Sequence, residues 1–243
     1  MSIERALKSW LSGEPLGMIK KVIEGYSILE IGETFVVGVS GGIDSFAMLM
    51  AVETFNQKFD MGWEIIPCFV DGGFPGTDAE RLRDRLAEFG FELKVRKAPI
   101  FKKLKKNKKN ICFLCTRARR RELVEEAMAN FSSKVAFAHH KEDVVEALFL
   151  NLIYNRELAT MIPNQGILQG RIQIIRPIYN YDKRLIKRIA SFFKYKPIAY
   201  SCPFRRLSKR TAVRKFLTKE VKELRNIENI FYGMTNFRWP YLP

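Results

Sequence analysis

Six residues, Ser40-Gly41-Gly42-Ile43-Asp44-Ser45, constrain the fold of this chain more than any other stretch. They follow an apolar run, Phe35-Val36-Val37-Gly38-Val39, and precede another, Phe46-Ala47-Met48-Leu49-Met50. That order reads as strand, tight glycine turn, helix. Two adjacent glycines let the backbone come close to a ligand and aim its N–H groups at one point. A helix starting at Asp44-Ser45 adds the positive end of its dipole. The product is an anion site suited to a phosphate or pyrophosphate, with Ser40 and Ser45 as further hydroxyl donors. No lysine follows the glycines, so this is not a Walker A loop, and no third glycine makes it a dinucleotide fingerprint. A plain hairpin or helix cap also uses Ser and Asp. The buried-type strand before the loop and the apolar helix after it argue against that.

The loop resembles the SGGxDS loop of the PP-loop ATP pyrophosphatase superfamily. The resemblance implies cleavage of ATP to AMP and pyrophosphate, with adenylation of a substrate. It places Val39, Ser40, Gly41, Gly42, Asp44 and Ser45 around the nucleotide.

Alternating patterns continue along the chain. Strands are expected near Thr34–Val39, Trp63–Val70, Phe91–Arg96, Lys134–Ala138 and Ile172–Arg176. Helices are expected after the glycine loop, after Gly76-Thr77-Asp78, from about Cys115 to Met128, over Glu142–Tyr154, and from Asp182 to Phe193. This is an α/β pattern, a doubly wound and mostly parallel sheet. Apolar residues at helical spacing (Ile3, Leu7, Leu11, then Met18, Ile19, Val22, Ile23) add two short helices in front. We therefore divide the chain into a helical extension over residues 1–30, a nucleotide-binding domain over 31–200, and a basic helical segment over 201–243. Such sheets bind ligands at the carboxyl ends of their strands. The glycine loop, Asp71 and His139 all lie just past strand ends, so they are expected in one crevice.

Charge narrows the partners. With 243 residues and 47% hydrophobic content, the chain can bury a full core, and its formal net charge is +16. That balance points to a polyanion, most simply nucleic acid. The charge is clustered: six lysines fall within residues 102–109, then come Arg117, Arg119, Arg120 and Arg121, then Arg205, Arg206, Lys209, Arg210, Arg214 and Lys215. A lysine run alone is usually a solvated loop; three clusters beside candidate chemical groups are more specific. No stretch reaches membrane-spanning length and no secretory apolar region opens the chain, so a cytoplasmic protein with no membrane partner is expected.

Of four cysteines, Cys68 falls inside a strand and reads as a small core residue. Cys112 and Cys115 form a C-x-x-C pair at a helix start, and Cys202 precedes Pro203. By chemistry alone the trio allows a redox pair, half of a zinc site, or three ligands of an iron–sulfur cluster.

The surrounding residues resemble one family. Cys112-Phe113-Leu114-Cys115-Thr116-Arg117-Ala118-Arg119-Arg120 is similar to the C-x-L-C-S-R-x-R-R stretch of the tRNA 2-thiocytidine synthetases. Ala138-His139-His140-Lys141-Glu142-Asp143, followed by Leu148-Phe149-Leu150-Asn151-Leu152-Ile153-Tyr154, resembles their G-H-H-R-D-D…LFLN-x-x-Y segment. Ile175-Arg176-Pro177-Ile178 resembles their I-R-P-L, and Gly233-Met234-Thr235-Asn236-Phe237 their A-M-Q-N-V. Cys202-Pro203-Phe204, with Arg210, Val213-Arg214 and Phe216-Leu217, is closer to the related 2-thiouridine synthetases. The resemblance implies an ATP-dependent tRNA sulfurtransferase that adenylates the C2 oxygen of a pyrimidine and replaces it with sulfur. It implies ATP, Mg²⁺ and a [4Fe–4S] cluster on Cys112, Cys115 and Cys202. Asp44 and Asp143 would position metal or water, His139 would lie near the adenosine, and Asp71 would bond a ribose or amine or cap a turn. Arg119 and Arg120 would hold RNA or ATP phosphates, or form a solvated helix face. The implied partners are tRNA and a sulfur donor (sulfide, a cysteine desulfurase or a sulfur-carrier protein), and a homodimer is compatible. Two other readings use the same residues differently: a PP-loop tRNA ligase of the lysidine-forming kind, and a basic iron–sulfur or zinc RNA-binding protein that does not turn over ATP.

Overall fold

Six strands form one sheet in the order β3-β2-β1-β4-β6-β5. The computed structural model describes residues 3–105, 110–198, 202–204, 208–221 and 224–236. β1 (Thr34–Val39) pairs in parallel with β2 (Glu64–Asp71) on one side and β4 (Lys134–Ala136) on the other. β3 (Lys94–Lys97) extends the sheet beyond β2, and β6 (Ile172–Ile175) extends it beyond β4, again in parallel. Strand order therefore reverses between β1 and β4, which opens a crevice at their carboxyl ends. The expected doubly wound sheet is present.

One strand was not expected. β5 (Asn164–Ile167) runs antiparallel to β6 and closes that edge. Its residues, Asn-Gln-Gly-Ile, show no apolar alternation. The hairpin turn that makes it is irregular, with Leu168, Gln169 and Gly170 all at positive φ. Asn and Gly tolerate such turns, but Leu there gives no sequence signal.

The helices divide between two faces. α3 (Ile43–Phe59) is buried continuously from Ser45 to Val52. It lies between the sheet and an outer layer made by α1 (Ile3–Leu7), α2 (Glu14–Tyr26) and α8 (Lys183–Phe192). A helix covered on both sides is apolar all round. α4 (Ala79–Ala87) and α7 (Lys141–Tyr154) share this face through Leu82, Leu86, Val144 and Val145. The opposite face carries α5 (Ile100–Lys105) and α6 (Ile111–Ala129), packed over Val36, Cys68 and Ile174. Ala6, Leu11 and Leu16 join the same core cluster as Phe46 and, from the C-terminal segment, Val213 and Phe231.

The lysine run differs from the expected loop in its first half. Ile100 and Leu104, one helical turn apart, are buried, and this pins α5 with Lys102, Lys103 and Lys105 exposed on its outer side. Lys106, Lys108 and Lys109 lie outside the described residues. The C-terminal segment forms α9 (Lys209–Glu220) and α10 (Leu224–Gly233), both docked on α7.

Candidate active site

The glycine loop joins β1 to α3. Gly41 has φ +77°, and a Cβ there would sit 2.2 Å from the Ile198 carbonyl oxygen. That carbonyl belongs to the stretch after α8, which grips the loop from outside: Ile198 N–H and the Tyr195 hydroxyl both donate to the Gly41 carbonyl, at 2.9 and 3.0 Å. The two serines shape the loop from inside. Ser45 Oγ accepts from Ser40 N–H at 3.1 Å and donates to the Gly42 carbonyl at 3.2 Å, while Ser40 Oγ accepts from Gly42 N–H at 3.3 Å. Ser45 is thus a buried brace. Gly42 caps α3 and would meet nothing closer than Ser40 Oγ at 3.4 Å if it carried a Cβ. Val39 is buried in the core at the end of β1, so only its backbone faces the loop.

Acidic groups from α3 and α7 gather beside the loop. His140 caps α7; its backbone N–H donates to Asp143 and its Nδ1 lies 2.8 Å from Glu142. His140 Nε2 stands 3.3 Å from Asp143 and 3.8 Å from Asp44, so the two expected carboxylates flank one imidazole. Burial pulls the His140 pKa down, but the bond to Glu142 and the charges of Asp143, Glu142 and Asp44 outweigh it and raise it. Asp143 is held below the usual carboxylate range: burial pushes it up, but His140, Arg210 and His139 pull it down further. Lys183, at the start of α8, donates to Asp44 through its ammonium and to Glu142 through its backbone N–H. A cavity of about 580 Å³ opens here, lined by Asp44, His140, Asp143, Lys183 and Arg214 among others. No sequence signal marks Lys183, which lies 139 residues from its partner.

The third basic cluster turns partly inward. Arg210 and Arg214 on α9 pair with Glu146 and Asp143 on α7. Lys209 covers the Tyr154 ring at 4.3 Å. Arg205 and Arg206 lie outside the described residues. Arg210 also lines a second cavity, of about 380 Å³, together with Cys112 and Phe204. Arg210 therefore pairs with the acids beside the glycine loop and also lines the pocket of Cys112.

Cys112 is exposed, while Cys115 and Cys202 are half-buried beside Leu114, Ala118 and Phe204. Burial pushes the Cys115 thiol up; Arg119 pulls it down, and Cys202 and Cys112 push it up again. Cys112 and Cys202 are thus both near enough to act on Cys115. Among the described residues, no three His, Cys, Asp or Glu side chains stand close enough to hold a single metal ion. Cys112 and Cys202 on either side of Cys115, with no fourth ligand, fit a cubane, which spreads its ligands wider than one zinc ion does. Cys68 is fully buried and its thiol is pushed up to about 12, mainly by burial, as a core residue should be.

Four other expected residues have defined places. Asp71 ends β2 and accepts from Gly73 N–H at 2.9 Å, so it caps a turn. His139 accepts at Nδ1 from Arg176 Nε at 3.2 Å and stacks on Phe137. Burial pushes its pKa down to about 3, with Arg176, Arg210 and His140 adding to the shift and Asp143 opposing it. Arg119 lies over the Phe74 ring at 5.5 Å, and Arg120 is half-buried on α6.

A family model described as the PP-loop domain matches residues 18–221. The chain belongs to the PP-loop family. Within it, the chain falls in the tRNA-thiolating branch of the 2-thiocytidine synthetase type. A tRNA-cytidine(32) 2-sulfurtransferase from Syntrophotalea carbinolica is 31% identical over 186 residues, covering 75% of this chain and 72% of that protein. The protein of the same name from Geotalea daltonii is 30% identical over 163 residues, covering 66% of this chain and 65% of its own length. Among solved structures, the U34-tRNA thiolase NcsA from Methanococcus maripaludis, with its [4Fe-4S] cluster, shares the fold at a TM-score of 0.67 and 20% identity. It covers 93% of this chain and 79% of the thiolase. The PP-loop assignment accounts for the gripped glycine loop, and no described helix is long and apolar enough to cross a membrane.

Proposed function

We propose that this protein is an ATP-dependent tRNA 2-sulfurtransferase acting on a cytidine. The observation that carries it is the position of Arg210, shared between the acids beside the glycine loop and the pocket of Cys112. An adenylation site and a thiol site are thus neighbours, which a two-stage exchange of oxygen for sulfur needs. The curated relatives named above support cytidine as the base.

In this reading the glycine loop and the α3 N-terminus hold the ATP phosphates through backbone N–H groups. Asp44 and Asp143 position Mg²⁺ or water, and Lys183 and His140 balance their charge until ATP arrives. The C2 oxygen of the base attacks the α-phosphorus and pyrophosphate leaves, so the oxygen departs later as AMP rather than hydroxide. Cys112, Cys115 and Cys202 would hold a [4Fe–4S] cluster, which supplies a site for the incoming sulfide. Phe204 and Leu150 wall that pocket. Basic side chains on α5 and α6 receive the tRNA.

The test joins two measurements. Anaerobically prepared protein, given unmodified tRNA, ATP and sulfide, should release AMP and yield a thiolated pyrimidine by nucleoside mass spectrometry. A Cys112→Ser variant should still adenylate but not thiolate, and an Asp44→Ala variant should do neither. AMP release without any thionucleoside, from protein holding about four irons, would sink the proposal and favour another PP-loop ligase. Thiolated uridine in place of thiolated cytidine would correct the base.

A further inference from the structure

Neighbouring histidines after β4 face different surroundings. His140 meets the acids, with Nε2 at 3.3 Å from Asp143 and 3.8 Å from Asp44. His139 instead stacks on Phe137, their ring centroids 5.7 Å apart and their planes at 20°. Phe137 packs on the same apolar cluster as Cys115, Cys202 and Phe204. It lies on the α6 side of the sheet, since a Cβ on Gly38 would meet both Leu123 of α6 and Phe137. Strand register sets the height: Val37 of β1 pairs with Ala136 of β4, so His139 leaves the sheet level with Ser40 of the glycine loop. His139 thus stands beside the nucleotide loop, on the side that carries the cysteines. A carbon that exchanges oxygen for sulfur has to reach both.

The ring proton of His139 is fixed from behind. Arg176 is 2% exposed; its Nη2 donates to Gln165 Oε1 at 3.0 Å and its Nη1 to the Ile162 carbonyl. Those bonds hold the guanidinium still while its Nε donates to His139 Nδ1 at 3.2 Å. A guanidinium only donates, so Nδ1 accepts and the proton sits on Nε2. Nε2 has no hydrogen-bond partner among the described residues, and the residue is half-buried rather than sealed. The result is a neutral N–H donor of fixed direction, left open for a ligand.

We propose that His139 reads the target base, its Nε2–H donating to N3 of cytosine, with Arg176 as the positioning residue. This rests on the thiolation reading above and names what selects the base. Single-stranded RNA bases are read along their Watson–Crick edge, and N3 is the middle of that edge. Cytosine N3 offers a lone pair, whereas uracil N3 carries a proton, so uracil would set two donors face to face. A site built to hydrogen-bond one partner rejects an analogue that cannot complete the bond. N3 is also bonded to C2, so the same contact draws electron density from the carbon where sulfur enters.

Single-turnover pyrophosphate release tests this, using unmodified tRNA with cytidine, 3-deazacytidine or uridine at the thiolated position. It reads adenylation and needs no cluster. Wild type should be about tenfold slower or more with either replacement, since 3-deazacytidine has a C–H in place of N3. His139→Asn keeps an oxygen for Arg176 but has no donor at the ε position. It should melt close to wild type, slow about tenfold on cytidine, and no longer distinguish cytidine from 3-deazacytidine. Losses that add, with His139→Asn still sensitive to 3-deazacytidine, overturn the contact. Arg176→Gln frees the ring to offer Nε2 as an acceptor, so its preference should move toward uridine; an unchanged ratio in the folded variant overturns the positioning role. Arg176 tethers three acceptors, so its variant is first checked by melting, and His139→Asn decides the matter without it. A raised ATP KM in His139→Asn with base preference intact places His139 on the adenosine, which overturns the proposal and leaves thiolation standing. A wild type that prefers uridine does the same. No pyrophosphate release with any of these tRNAs would sink the adenylation reading itself.

Discussion

Gly41 and Gly42 are neighbours that need to be glycine for different reasons. Gly41 sits in the left-handed region, with its Cα facing the Ile198 carbonyl, so an added methyl group collides with backbone that cannot swing aside. Gly41→Ala should cost about 1–3 kcal/mol from the backbone conformation alone, more from the collision, and should lower the melting point without ligand. Gly42 has ordinary φ and its Cβ would meet only the movable Ser40 hydroxyl, at 3.4 Å, so Gly42→Ala should fold and melt as wild type. It should lose ATP affinity, because the methyl group would stand where phosphate oxygens approach. Paired melting and ATP titration separate the two; loss of stability in both variants would make the second glycine structural too. The sequence shows that two glycines stand together, but which one is gripped depends on Ile198, far along the chain. His139 offers a second residue-scale test. Its folded pKa of about 3 lies below the unfolded value of 6.5, so its contribution to stability is present above pH 6.5 and is lost as pH falls toward 3. His140 is shifted the other way: its contribution is present below pH 6.5 and is lost as pH rises through its raised folded value. His139→Gln should therefore flatten the acid side of a stability–pH profile while leaving the alkaline side unchanged. A profile with the same acid slope as wild type would mean that His139 is not held neutral.

At the scale of elements, α9 shows how a charge count misses pairing between helices. Arg210 and Arg214 read as part of a polyanion-binding cluster. They stand one helical turn apart and face Glu146, itself one turn from Glu142 on α7, so the pair docks the helix instead. The acids of α7 and the arginines of α9 were each visible in the sequence; their meeting was not, because nothing local specifies which surface helix covers which. Val213 and Leu217 complete the docked face. Since Glu146 is nearly buried, removing both arginines strands a carboxylate, at a cost of about 3–5 kcal/mol. Arg210→Ala with Arg214→Ala should release α9, seen as faster hydrogen exchange in that helix. Adding Glu146→Gln should recover part of the loss. No recovery would mean that the arginines pack rather than neutralise. β1, β2 and α3 were legible because long apolar runs and glycine punctuation fix them. β5 was not: an edge strand made of Asn, Gln and Gly owes its existence to β6 beside it. The three cysteines were legible as a candidate ligand group by chemistry alone, but the approach of Cys202 to Cys115 was not, because it depends on contacts far along the chain.

For the whole molecule, the inward turn of Arg210 and Arg214 changes where the +16 charge can act. Arg96 is likewise spent on Glu122, Glu125 and Glu126, and Arg121 on Glu125. The densest run of like charge in the sequence is the lysine run. Lys102, Lys103 and Lys105 line the outer side of α5, and the run leads into the start of α6, where Cys112 lies. Such a helix presents charges at fixed spacing to a phosphate backbone, while Ile100 and Leu104 anchor it to the core. If about half of the six lysines meet phosphates, replacing all six with Ser should flatten the log–log salt dependence of tRNA binding by about two units, at roughly 0.7–0.9 per phosphate. ATP affinity should stay the same, because the glycine loop acts through backbone N–H groups on the other side of the sheet. The helix itself should survive, since its buried residues are untouched, and circular dichroism and melting of the variant will show this. Measuring tRNA affinity at four or more salt concentrations for both proteins decides the matter. An unchanged slope would move RNA binding away from α5, to Arg117 on α6 and to Arg205 and Arg206.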